Sequence, residues 1–86
     1  VEIRVCRATD VVVQVTSEGL VPFVEFFLPG QSSGERVNFS TGGTNQAVFT
    51  ALPSKFGAVA HRVNVGTTET PGTGASRNFI LRVFVE

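Results

Sequence analysis

Val21-Pro22-Phe23-Val24-Glu25-Phe26-Phe27-Leu28 is the run that decides the fold. Successive side chains of an extended chain point to opposite sides. Val24, Phe26 and Leu28 therefore form one apolar face, and Phe23, Glu25 and Phe27 form the other. Similar alternation in Val- and Phe-rich runs recurs from end to end of the chain, and no stretch of ten residues places its apolar positions at helical spacing. Strands are predicted at about Val1–Arg7, Val11–Ser17, Val21–Leu28, Arg36–Ser40, Gln46–Ala51, Ala58–Val65 and Asn78–Val85.

The breaks between these runs carry turn chemistry: Glu18-Gly19, Pro29-Gly30 through Gly34, Thr41 to Asn45, Pro53, and Thr70 to Gly74. Glycine admits positive φ, and proline fixes φ while removing a hydrogen-bond donor, so such segments turn rather than pair. Short strands with no intervening helices point to antiparallel sheets packed face to face. The expected fold is an all-β, antiparallel β-sandwich of about seven to eight strands, jelly-roll-like or immunoglobulin-like, in a single domain over residues 1–86. The strand count suits an immunoglobulin-like sandwich, whose hallmarks are two bridged cysteines, a core Trp and a corner Tyr. This chain has one cysteine, no Trp and no Tyr, so its eight Phe must supply the aromatic volume of the core.

Most strands sort into one dry and one wet face. In the first, Val1, Ile3 and Val5 oppose Glu2, Arg4 and Cys6; in the fourth, Val37 and Phe39 oppose Arg36, Asn38 and Ser40. The third and the last are apolar on both sides. There Phe23 and Phe27 flank Glu25, and Ile80 and Phe84 flank Arg82, opposite a core-type face. A small sandwich buries only its inner faces, so Phe23, Phe27, Ile80 and Phe84 are candidate interface residues unless a loop, a sheet edge or another chain covers them.

Charged residues make up 16% of the chain, against roughly 25% in an average soluble domain, and seven basic residues balance seven acidic ones. Without a net field, nucleic acid is not an expected partner, and neutrality favours self-association. No apolar run approaches the roughly 20 residues of a membrane-spanning helix, so membrane insertion is not expected. The chain contains no Met and opens on Val1 inside a strand-like pattern, which predicts a processed chain or a part of a longer one.

Chemistry-bearing residues are scarce. Cys6, His61 and Asp10 are each the only one of their kind, and alternation places His61 on the core face with Val59, Val63 and Val65. Nucleophilic or metal chemistry needs several such groups converging, and no catalytic residue, metal ligand or cofactor is assigned. The run Pro71 to Ser76 lacks the Lys and the spacing of a phosphate-binding loop. Asn38-Phe39-Ser40 fits an N-glycosylation acceptor on an outward position.

Ala47-Val-Phe-Thr-Ala-Leu-Pro-Ser-Lys-Phe-Gly-Ala-Val-Ala60 resembles the opening strands of the small bacterial calcium-dependent fucose and mannose lectins. Those lectins hold calcium in a dense Asp/Asn cluster near the C-terminus. This chain has one Asp and ends Asn78-Phe-Ile-Leu-Arg-Val-Phe-Val-Glu86, so no site residue carries across.

Two functional expectations follow. The leading one is a non-enzymatic structural or adhesive module that associates with itself or with a larger protein assembly, such as a coat, decoration or surface-layer component, and is extracellular or at a virion or cell surface. The alternative is a carbohydrate-binding module using polar loops, with Asn45, Gln46, Thr68 and Arg77 as candidate ligand residues.

Overall fold

The computed structural model describes residues 1–7, 9–67 and 79–86. Seven strands run in chain order: β1 (Glu2–Val5), β2 (Asp10–Ser17), β3 (Pro22–Phe27), β4 (Glu35–Asn38), β5 (Gly43–Thr50), β6 (Val59–Thr67) and β7 (Phe79–Val85). They form two antiparallel sheets, one of four strands ordered β1-β6-β3-β4 and one of three ordered β5-β2-β7. The two sheets pack together as a small β-sandwich.

The β2–β5 and β3–β6 pairs are those expected of an immunoglobulin-type sandwich, in which the second strand neighbours the fifth and the third neighbours the sixth. The terminal strands are exchanged relative to that plan. β1 lies beside β6 instead of β2, β7 lies beside β2 instead of β6, and β4 joins β3 rather than β5. β3 and β4 form a hairpin, and every other pair of consecutive strands is split between the two sheets.

β2 organises the smaller sheet. Its β-branched run Val11-Val12-Val13-Gln14-Val15 suits an extended pleat, and Val11, Val13 and Val15 are fully buried. All eight of its residues pair with β5, down to Ser17 opposite Gly43. For that reason β5 begins three residues before the predicted Gln46: the paired edge of β2 extends it back through the polar Gly43-Thr44-Asn45. The chain leaves β2 through Gly19 at φ +78°, a left-handed conformation open to glycine at little cost, while the Ser17 hydroxyl donates to Leu20 O at 2.9 Å. β3 opens on a buried Pro22, a strand position where the missing N–H is tolerated, and its carbonyl accepts from Phe39 N–H.

The core lies between the sheets and joins Val5, Val24, Phe26 and Val63 of the larger sheet to Val11, Val13, Val15, Ala47 and Phe49 of the smaller. Phe26 stacks on Phe49 with ring centroids 4.9 Å apart and on the His61 ring at 5.3 Å. Stacked rings at such spacing add to the burial of their area. Leu28, expected on the core face, lies past the end of β3 and is exposed, because the strand ends where the Leu28–Gly34 turn begins.

Candidate functional site

Each sheet has an outer face, and the four candidate interface residues divide between them. Phe23 and Phe27 project from β3 on the outside of the four-stranded sheet; Ile80 and Phe84 project from β7 on the outside of the three-stranded one.

Phe23 and Phe27 are not free. Phe23 pairs in register with Gly66 of β6, whose missing side chain leaves room for the ring: a Cβ there would come within 2.8 Å of Phe23 Cζ. The Arg36 guanidinium of β4 lies 3.7 Å from the ring centroid, and Phe23 is half-buried. Phe27 pairs with Arg62 of β6, whose guanidinium sits 4.1 Å from its ring centroid, and a Cβ at Gly34 of the β3–β4 turn would come within 3.0 Å of Phe27 Cδ1. Only 6% of Phe27 remains exposed. The expectation of an interface is therefore corrected for Phe27, which the chain itself buries, while Phe23 stays half-buried under Arg36. A guanidinium over a ring face brings both electrostatic attraction and apolar cover from the arginine stem.

Ile80 and Phe84 are exposed, at 56% and 47%. The register of the three-stranded sheet sets their neighbours. Across β5, β2 and β7, its outer face presents four rows: Thr50, Asp10 and Glu86; Val48, Val12 and Phe84; Gln46, Gln14 and Arg82; and Thr44, Thr16 and Ile80. Phe84 thus ends an unbroken apolar row with half-buried Val12 and with Val48, which is 54% exposed. Sequence reading missed Val12 and Val48, since each is a single outward valine in its own strand; only the pairing register joins them to Phe84. Thr16 and Thr44 share a hydroxyl hydrogen bond at 3.0 Å in the last row.

The polar ligand residues are placed differently from expectation. Asn45 and Gln46 lie in β5 rather than in a loop, because the strand extends back to Gly43. Asn45 is half-buried and its Nδ2 donates to Thr41 O at 2.9 Å, which ties the turn to the strand. Gln46 is exposed on the outer face, in the row with Gln14 and Arg82. Thr68 and Arg77 lie outside the described residues. Asn38 is exposed and outward, and its Oδ1 accepts from Arg36 Nε at 3.1 Å.

His61 is buried in the core, with both ring nitrogens bonded to the backbone. Leu52 N–H donates to Nε2 at 3.0 Å, and Nδ1–H donates to Val59 O at 3.0 Å, which assigns the proton to Nδ1. Neither nitrogen is left to act on Cys6 or Asp10. The exposed Cys6 thiol lies 3.6 Å from Ser54 O, and Asp10 sits in the first row of the three-stranded face. Among the described residues no group of three or more His, Cys, Asp or Glu converges. Among the described residues the most exposed aromatic is Phe56 at 90%, in the segment after β5, with Lys55 Nζ 5.3 Å from its ring centroid. Isolated apolar residues of this sort are common on soluble proteins.

Compared with protein-family models, curated proteins and solved structures, the chain matches none of them.

Proposed function

We propose that this chain is a non-enzymatic structural or adhesive module that acts through protein–protein association, joining copies of itself in a coat, decoration or surface-layer assembly at a virion or cell surface. The observation that carries the reading is the Val48–Val12–Phe84 row, an apolar band crossing all three strands of one outer face. On the opposite outer face Phe27 is buried and Phe23 is half-buried under Arg36, whereas this row leaves Val48 and Phe84 about half in water. A chain with no net charge and few charges brings little repulsion to oppose association. Burying each large apolar side chain contributes about 1.5–3 kcal/mol, so one such row is sufficient to drive a weak contact. Light scattering coupled to size exclusion is expected to show mass rising with concentration, and Phe84→Ser should shift that rise to higher concentration. Monomers at every concentration in both proteins would overturn the reading.

One observation favours a second reading. Gln46, Gln14 and Arg82 form a row of hydrogen-bonding side chains beside the exposed Phe84 ring, a pairing of polar groups with an aromatic face that suits a carbohydrate. On this reading Gln14→Ala lowers binding on a glycan array without altering self-association. An array with no bound glycan would remove it.

A further inference from the structure

Resting on the association reading, we infer that the partner on the three-stranded face is a second copy, docked face to face about a two-fold axis that runs along the Val48–Val12–Phe84 row. Two-fold contacts place the same patch of both copies together, so a face fits its own copy only if it is self-complementary about the axis. Adjacent rows on this face are two residues apart, about 6.6 Å. Turning a copy over about the apolar row sets Val48, Val12 and Phe84 against their own counterparts and lays the row of Thr50, Asp10 and Glu86 on the row of Gln46, Gln14 and Arg82. Glu86 of each copy then meets Arg82 of the other, twice by symmetry, and Asp10 meets Gln14. Both members of the charge pair are exposed and free to be matched from outside.

Two other axes on the same face lack this match. An axis along the Gln46–Gln14–Arg82 row brings Arg82 onto Arg82. An axis along β2 exchanges β5 with β7, setting Arg82 against Gln46 and Glu86 against Thr50, with no ion pair. Only the apolar row has opposite charges at equal distances on its two sides, in the same strand. The strands of packed sheets cross at about 30°, and β7 is one strand spacing, about 4.8 Å, from β2. Glu86 and Arg82 also stand one row, about 6.6 Å, along the strand from Phe84, so each is about 8.2 Å from Val12 and the crossing displaces the pair by about 4.2 Å, within the reach of an arginine side chain.

The size of the face sets the strength. Three strands about 4.8 Å apart and seven residues at about 3.3 Å per residue cover roughly 350 Å² per copy, or about 700 Å² in all, below the 1,200 Å² of a free-standing stable pair. The contact is weak singly and gains strength when many copies are held in one assembly.

Sedimentation equilibrium of the wild type, Arg82→Glu, Glu86→Arg and the doubly exchanged variant tests the axis. Each single change puts like charges together twice and is expected to raise the dimer Kd about tenfold, and the double exchange should return it to within about threefold of wild type. Because the double exchange conserves net charge, its recovery reports the pairing. A double variant as weak as the single ones would overturn the axis while leaving the association reading intact. A wild type that remains monomeric into the millimolar range would overturn both.

Discussion

The two outer faces of this sandwich start from the same local pattern and end differently. On the four-stranded face, β3 presents Phe23, Glu25 and Phe27 outward; on the three-stranded face, β7 presents Ile80, Arg82 and Phe84 outward. Each is an apolar–charged–apolar alternation on a strand whose other side is core. Phe27 has Arg62 over its ring and is buried, and Phe23 has Arg36 over its ring and Gly66 beside it and is half-buried. Phe84 has Val12 and Val48 beside it, and nothing among the described residues covers the row. What separates a covered aromatic from an exposed one is the cross-strand neighbour that the sheet order supplies.

The sharpest way to break this comparison is to truncate one aromatic from each face. Phe27→Ala removes a buried ring and is expected to cost about 3–5 kcal/mol of unfolding free energy. Phe84→Ala, measured by urea unfolding at low protein concentration, should stay within about 1 kcal/mol of wild type, because its ring is half in water. Equal costs would mean that the two faces are not distinct. Next in size is Gly66→Val, which places a branched side chain where the Phe23 ring lies and should destabilise by about 1–3 kcal/mol, read as a lowered thermal midpoint.

A smaller effect sharpens the role of the arginines. Arg62→Ala uncovers the Phe27 ring and is expected to lower stability by about 1 kcal/mol while raising binding of a hydrophobic dye, as the four-stranded face acquires the character of the other. Unchanged dye binding would show that the turn alone covers the ring. The smallest stability effect belongs to Val12→Thr with Val48→Thr, within about 0.5 kcal/mol, since both side chains are outward and threonine keeps the β-branched shape. Self-association should nonetheless weaken severalfold in that variant, measured by light scattering.

Alternation along the chain is enough to read all seven strands and the sandwich, because period two survives in every strand and every connection but β1–β2 carries glycine or proline. Outward projection of Phe23, Phe27, Ile80 and Phe84 was legible for the same reason. Their exposure was not. Arg62 stands 35 positions from Phe27 in the chain, and only the placement of β6 beside β3 brings the guanidinium over that ring. Val12 and Val48 were likewise invisible as a site, because an outward valine carries no signal until the β5–β2–β7 register lines it up with Phe84. Asn45 was misplaced because strand pairing with β2 overrode the turn chemistry of Gly43-Thr44-Asn45. The same limit applies to the terminal strands: nothing local in β1 or β7 states which sheet each will join.

A dilution series followed by amide chemical shifts tests, residue by residue, the proposal that the three-stranded face associates and the four-stranded face does not. From about a millimolar downward, the account predicts concentration-dependent shifts at Val12, Gln14, Val48, Arg82 and Phe84, with Phe23, Glu25 and Phe27 unmoved. Shifts concentrated on the four-stranded face, or none on either face across the series, would contradict it.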